Sequence, residues 1–194
     1  MFLERSKRIN RYAHQFGASG FRSAVLYRNP EWLEALDFEY DMSMPTSAHL
    51  EPQQGGCCSV MPFFIGSMLE LPVTTTQDYS LFHILNDYSI DVWKRQVRAI
   101  RQKHGLASFI IHPDYIIESR SRNTYNRLLA YLGELESEGD SWFALPGDIN
   151  RWWRDRSAMT LTRRGDLWEL DGPGKERARI AYATLERDRV VYVT

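Results

Sequence analysis

The chain has only two cysteines, and they are neighbours, Cys57 and Cys58. Adjacent cysteines bridge each other only with strain, and one pair gives no disulfide framework. No second Cys/His pair stands at zinc-finger spacing, so a structural zinc site is not expected. The plain reading is two reduced thiols packed in a loop. Long hydrophobic runs are also missing; none reaches the ~18 residues that a membrane span requires. The opening stretch "MFLERSKRINRYAHQFG" carries charge where a signal peptide needs an apolar core. Nothing in it directs export, and the cytoplasm is the default location. Charge of one sign is absent too: 24 Lys and Arg stand against 25 Asp and Glu, a formal net charge of −1. Nucleic-acid binding needs a basic excess or stripe, so no nucleic-acid partner is expected. Arginines do gather at Arg151, Arg154, Arg156, Arg163 and Arg164. Acids and tryptophans are mixed among them, as on a solvated helix face.

What is present suits a globular protein. The 194 residues are 43% hydrophobic and 13% aromatic, enough for a full-sized core. The spacing predicts a helix over 2–16, with Leu3, Ile9, Tyr12, Ala13 and Phe16 on one face and Gly17 as its stop. Short strands follow at 20–27 and 38–43, with a helical turn opened by Asn29-Pro30 between them. A loop from Pro45 to Gly56, about twelve residues, exceeds ordinary connections, and such loops are often functional. "SVMPFFIG" and "LELPVTTT" read as extended segments, although Pro62 and Pro72 argue against regular central strands. Helices are predicted over 79–86 and over 89–104, the latter capped by Ser89 and ended by Gly105. "LASFIIH" reads as a strand buried on both faces. A helix over 119–138 turns Tyr125, Leu128, Leu129, Leu132 and Leu135 inward. "WFALP" reads as a brief strand and 147–156 as a short helix. The tail alternates as antiparallel strands with "RRGD" as a turn. Up to about residue 156 the strand–helix rhythm implies an α/β fold with a parallel sheet or barrel.

In such folds, chemistry collects where strands end. Those positions supply Arg22, Asp41, Ser43, Thr74, Asp78 and His112. A histidine, two carboxylates and an arginine on one rim can do acid–base work on an acyl or glycosyl substrate. Each also has a structural reading. His112 precedes Pro113 and its ring can cap Asp114 or a carbonyl. Arg22 can be an ordinary ion-pair partner of Asp41. Asp78 can be a helix N-cap, and Asp41 can close its strand through an Asx turn. Trp152 and Trp153 can pack a core or form a sugar platform. Gly55 and Gly56 can admit a ligand or only turn the chain. His14, His49, His83 and His104 show no metal-site spacing.

Five blocks, in order, resemble the later part of NodB-like polysaccharide deacetylases: "GFRSAVLYRNPEWLEALDFEYDMS", "EPQQGGCCSVMPFFIG", "LELPVTTTQDYSLFHIL", "IIHPDYI" and "WFALPGDINRWWRDRS". The nearest likeness is to a bacterial branch with a "GGCC…PF…ELPVT…QD" signature, and it spans residue 2 to about 157. The resemblance implies an α/β fold, a partial, incomplete distorted (β/α) barrel over 1–157, with a small β-rich C-terminal appendage over 158–194. It implies a hydrolase of carbohydrate metabolism that removes acetyl groups from N-acetylated sugars. In that family a divalent metal, usually zinc, activates water. The resemblance makes His112 the general acid for the leaving amine, Arg22 the group that orients the base, and Asp41 the acid that supports the histidine. It places Asp78, Thr74 and Trp142 at the substrate. Ala24 stands where the family has proline, and the tryptophan that usually follows the Asp41 motif is missing.

The family's Asp-Asp pair and His-x-x-x-His motif, which hold the metal and supply the base, do not occur before Arg22. The metal ligands are thus not expected in this chain, which reads as a truncated deacetylase of little activity. An N-terminal half supplied by another chain, or self-association through an open sheet edge, would be its protein partner. A non-catalytic carbohydrate-binding module on the same scaffold is the alternative. Bound zinc lowers the pKa of water from 15.7 to about 7, so its loss costs many powers of ten in rate. The expected outcome is that purified chain releases little or no acetate from chito-oligosaccharides. Metal-dependent acetate release above background would contradict it.

Overall fold

The computed structural model describes residues 2–26, 29–46 and 59–193. Most of the predicted 45–56 loop, with Cys57 and Cys58, lies outside them. The chain divides into two compact units, Met1–Gly147 and Asp148–Thr194. The division falls inside helix Pro146–Ala158, ten residues before the boundary expected at 157.

The first unit opens with α1, Phe2–Phe16, which has the predicted bounds and stops at Gly17, φ 62°. Its buried face differs from the prediction. Ala13 and Ser6 are buried, whereas Leu3, Tyr12 and Phe16 are exposed, and Tyr12 stacks on Phe16 instead. Asn10 fixes the helix to the following loop: its amide donates to Ala35 O at 3.1 Å and accepts from Asp37 N at 3.0 Å.

Strands β1 (Gly20–Phe21), β2 (Tyr40–Asp41), β3 (Phe63–Ile65) and β4 (Met68–Glu70) form one sheet in the order β1-β2-β4-β3. β1, β2 and β4 run parallel, and β3 returns antiparallel as a hairpin with β4. The predicted strand over 20–27 shortens to two residues because a tight turn, Ala24–Leu26, follows at once. α2, Pro30–Leu33, begins as predicted, with Asn29 Oδ1 accepting from Glu31 N at 3.0 Å. Parallel pairing sets Gly20 beside Tyr40 so closely that a methyl on Gly20 would sit 2.2 Å from the tyrosine ring.

Beyond β4 the sheet direction continues without a regular ladder. Pro45 bridges Val73 in parallel. Segment 106–112, predicted as a strand, lies beside 74–78 but is joined to it largely through side chains. Thr74 Oγ1 donates to Leu106 O at 2.7 Å and accepts from Ser108 N at 2.9 Å. Thr75 Oγ1 donates to Ser108 O at 2.7 Å, and the backbone adds Thr75 N to Ser108 O and Asp78 N to Ile110 O. Threonine hydroxyls reach carbonyls that a ladder would otherwise satisfy, which is why the apolar run registers as extended chain.

Helix α3, Asp91–Arg101, grips the same segment from one side. Trp93, wholly buried, donates from Nε1 to Thr76 O at 2.6 Å, while Gln96 accepts from Thr76 N and donates to Thr76 Oγ1. Burying such an aromatic side chain contributes on the order of 3 kcal/mol. Ser89 Oγ accepts from Asp91 N at 3.2 Å, but the N-cap position is Ile90, one residue later than expected, and has no side-chain cap. At the other end the left-handed residue is His104, φ 52°, not Gly105. Trp93 joins Leu81, Phe82, Ile90 and Leu128 in the main core. The last of these comes from α4, Ser119–Ser137, which buries Leu128 and Leu135 and leaves Leu129 exposed. The predicted helix over 79–86 is a wide π-type turn, Ser80–Ile84, closed by Leu85 N to Ser80 O at 2.9 Å. "WFALP" forms no strand.

The second unit contains most of α5 (Pro146–Ala158) and two separate hairpins. One is β5 (Thr160–Arg164) with β6 (Leu167–Asp171), which turns at Gly165, φ 62°, within the expected "RRGD" turn. The other is β7 (Tyr182–Glu186) with β8 (Arg189–Val193). Trp152 and Trp153 meet edge to face at 5.5 Å, and Arg156 lies over Trp153.

Gly20→Ala is expected to lower stability by about 1–3 kcal/mol, because the Tyr40 ring must leave its place over the strand. Urea unfolding checks this, and an unchanged midpoint would show that the ring moves freely.

Candidate functional site

The ends of the extended segments hold two buried acids with different surroundings. Asp78, 0% exposed, ends the threonine run and faces His112 at the end of the neighbouring segment. Its Oδ1 lies 2.7 Å from His112 Nδ1 and accepts from Tyr79 N at 2.8 Å. Its Oδ2 accepts from the backbone N–H of His112 at 2.5 Å. One carboxylate therefore holds both the ring and the main chain of the histidine. An ionised carboxylate only accepts, so the proton on this side belongs to Nδ1 and the other nitrogen, Nε2, is left to exchange protons. The His112 side chain is 41% exposed, so that nitrogen is within reach of solvent. Asp78 is not the N-cap of the turn that follows; its contact with Tyr79 N is to the next residue only, and the turn has no side-chain cap.

One aromatic ring touches the imidazole and two more rings continue from it. Tyr115 lies 4.8 Å from the rings of both His112 and His83, and Tyr79 lies 5.7 Å from Tyr115. The turn Pro113–Ile116 places Tyr115, and the π-type turn places His83.

The second acid, Asp41, ends β2 and is also wholly buried. The Asx turn expected at Asp41 forms: its Oδ2 accepts from Ser43 N at 3.2 Å and its Oδ1 from Ser43 Oγ at 2.7 Å. Parallel pairing sets it beside Glu70 at the end of β4, likewise wholly buried. Glu70 Oε1 accepts from Met44 N at 3.0 Å. Burial pushes the Asp41 carboxyl up from its ordinary value, while hydrogen bonding with Glu70 and Ser43 opposes that rise. Two carboxyl groups in one buried site cannot both ionise cheaply. Ser43 Oγ also accepts from Ser23 N at 2.9 Å, which ties β1 into the cluster.

The residues expected on one rim therefore separate. His112 and Asp78 meet. Asp41 meets Glu70 and Ser43, and no hydrogen bond or ion pair among the described residues joins it to His112. The carboxylate beside the histidine is Asp78, not Asp41. Arg22 is exposed and has no acidic partner among the described residues. The register sets Phe21 beside Asp41, and Arg22 follows just past the end of β1. The ion pair between Arg22 and Asp41 does not form. The Thr74 hydroxyl is committed to two backbone groups. Trp142 is 60% exposed in a stretch without regular structure. Glu70, His83 and Tyr115 are not singled out by the sequence. Glu70 lies in the segment read only as extended chain, and the parallel register brings it to Asp41.

Among the described residues no three His, Cys, Asp or Glu side chains are grouped to hold a metal ion. No helix among the described residues is long and apolar enough to cross a membrane. Comparison with protein-family models, with curated proteins and with solved structures finds no match to the chain.

An acid whose folded pKa is raised binds its proton more tightly in the folded state than in the unfolded one. The contribution of Asp41 to stability is therefore complete below 3.8 and falls as pH rises from there toward the folded pKa. Asp41→Asn, which cannot ionise, should gain stability relative to the native chain as pH rises from 4 to 7. Urea midpoints across that range check the sign; a difference that shrinks with rising pH would contradict it.

Proposed function

We propose that the chain carries the acid half of a deacetylase-type hydrolytic site, in which His112 protonates the amine that leaves an N-acetylated sugar. The observation that carries the reading is the buried Asp78 carboxylate, which holds the imidazole through Nδ1 at 2.7 Å and the His112 main chain through its second oxygen. A general acid needs a fixed ring with one nitrogen free toward substrate, and this arrangement supplies both. Asp78 takes the supporting role that the resemblance gives to Asp41. The ordered blocks of the polysaccharide deacetylase resemblance support the same chemistry, and the parallel strands followed by helices suit an incomplete (β/α) barrel. A metal-holding half from another polypeptide would complete such a site.

The ring cluster favours a second reading. Tyr79, His83 and Tyr115 beside His112 offer faces on which a sugar can stack, as a carbohydrate-binding module would use them. Both readings place an N-acetylated glycan at the same rings.

Chitotetraose titrated into labelled chain is expected to shift the resonances of His112, Tyr115 and His83. Nitrogen-15 spectra of neutral His112 should show the proton on Nδ1, and Asp78→Asn should abolish that preference. His112→Ala should leave chitotetraose affinity within about twofold for the hydrolytic reading, and should weaken it for the binding module. An absence of ligand-induced shifts at these rings would remove both readings. A proton on Nε2 would remove the hydrolytic one.

A further inference from the structure

We infer that an open cleft between the 86–89 turn and the first turns of α4 binds an acidic saccharide, its carboxylate or phosphate held between Arg120 and Arg127. The cleft, about 460 Å³, is lined by polar groups of both segments. On α4, Arg120, Asn123, Thr124 and Arg127 follow the spacing i, i+3, i+4, i+7 and so share one face. Neither arginine is in an ion pair among the described residues, so both guanidinium groups are available to a ligand in the cleft they share with Asp87.

Arg120 is also held still. Its guanidinium carbon sits 3.7 Å above the centroid of the Tyr88 ring. Tyr88 in turn stacks on the buried Phe82 ring at 5.2 Å and 11°, which makes a column of three planes rooted in the core. Thr124 Oγ1 donates to Tyr88 O at 2.6 Å and pins the turn to the helix. An ordinary surface arginine must be immobilised when it binds an anion; one already stacked presents its planar fork with that cost largely met.

The remaining lining selects a sugar over a bare ion. Asp87 brings a carboxylate into the cleft, with one oxygen already accepting from Ser89 N at 2.7 Å. A free anion would be repelled there, whereas a sugar hydroxyl can donate to it. Asn86 and Asn123 supply amides that both donate and accept. The volume lies in the range of small-ligand sites and exceeds what one phosphate fills. The inference does not depend on the hydrolytic reading of His112, although the same two stretches of chain carry both places.

Calorimetric and NMR titration of the full chain with glucuronate, glucose 6-phosphate, inorganic phosphate and glucose tests the inference. Binding of glucuronate or glucose 6-phosphate, with shifts at Tyr88 and at the Arg120 side chain, is expected; the tighter of the two names the acid. Arg127→Gln should weaken that binding by about tenfold or more, the loss of one charge-assisted contact, without changing the melting temperature. Arg120→Lys, which keeps the charge and loses the fork, should weaken it as well. Inorganic phosphate binding as tightly as the sugar phosphate would overturn the inference. So would equal binding of neutral glucose, indifference to both substitutions, or no binding of either acidic sugar.

Discussion

The hydroxyls of a threonine run hold the first unit together where its sheet ladder stops. Past Glu70 the chain enters a buried segment whose main-chain groups must find partners away from water. Thr74 and Thr75 reach across to Leu106 and Ser108, and Trp93 and Gln96 of α3 close the contacts of Thr76. An unsatisfied buried amide or carbonyl costs about 1–3 kcal/mol, so these bonds determine whether the two segments lie side by side at all. Asp78 and His112 stand at the far end of that arrangement. Their contact is a product of the alignment the threonines impose.

The two buried acids then differ in what lies opposite them. Asp78 faces donors: a ring nitrogen and two backbone N–H groups. Those partners satisfy a charge, and the acid in turn fixes a histidine open to solvent. Asp41 faces a hydroxyl and the backbone N–H groups of Met42 and Ser43 on one side and a second carboxyl on the other. That environment favours a structural role across β1, β2 and β4. Strand-end position alone does not distinguish an acid that positions a reactive group from one that joins strands; the partner across the register does.

Several elements are legible in the sequence because local chemistry determines them. α1 shows its apolar spacing and its glycine stop, α2 its Asn-Pro start, and the β5–β6 hairpin its "RRGD" turn. The place of His112 is legible in part: an apolar run ending in histidine before proline marks a strand end. Its partner is not, because Asp78 lies 34 residues away and meets it only through the parallel alignment. The same limit hides Glu70, which reads as one polar residue within an extended segment until Asp41 is placed beside it. Arg22 shows the converse. It follows the strand residue that pairs with Asp41, yet it lies beyond the strand and is exposed. The face predicted for α1 holds at Ile9 and Ala13 and not at Leu3, Tyr12 and Phe16, the last two of which stack on each other at the surface.

Valine is among the residues best suited to a buried extended segment, and it nearly matches threonine in shape. At Thr74, Thr75 and Thr76 that exchange would keep the volume and remove the oxygen that each tie requires. Divergent copies of this chain should therefore wander freely through the exposed hairpins of the second unit while keeping hydroxyl-bearing residues at these three positions. The triplet would serve as a fixed word by which a distant descendant is recognised.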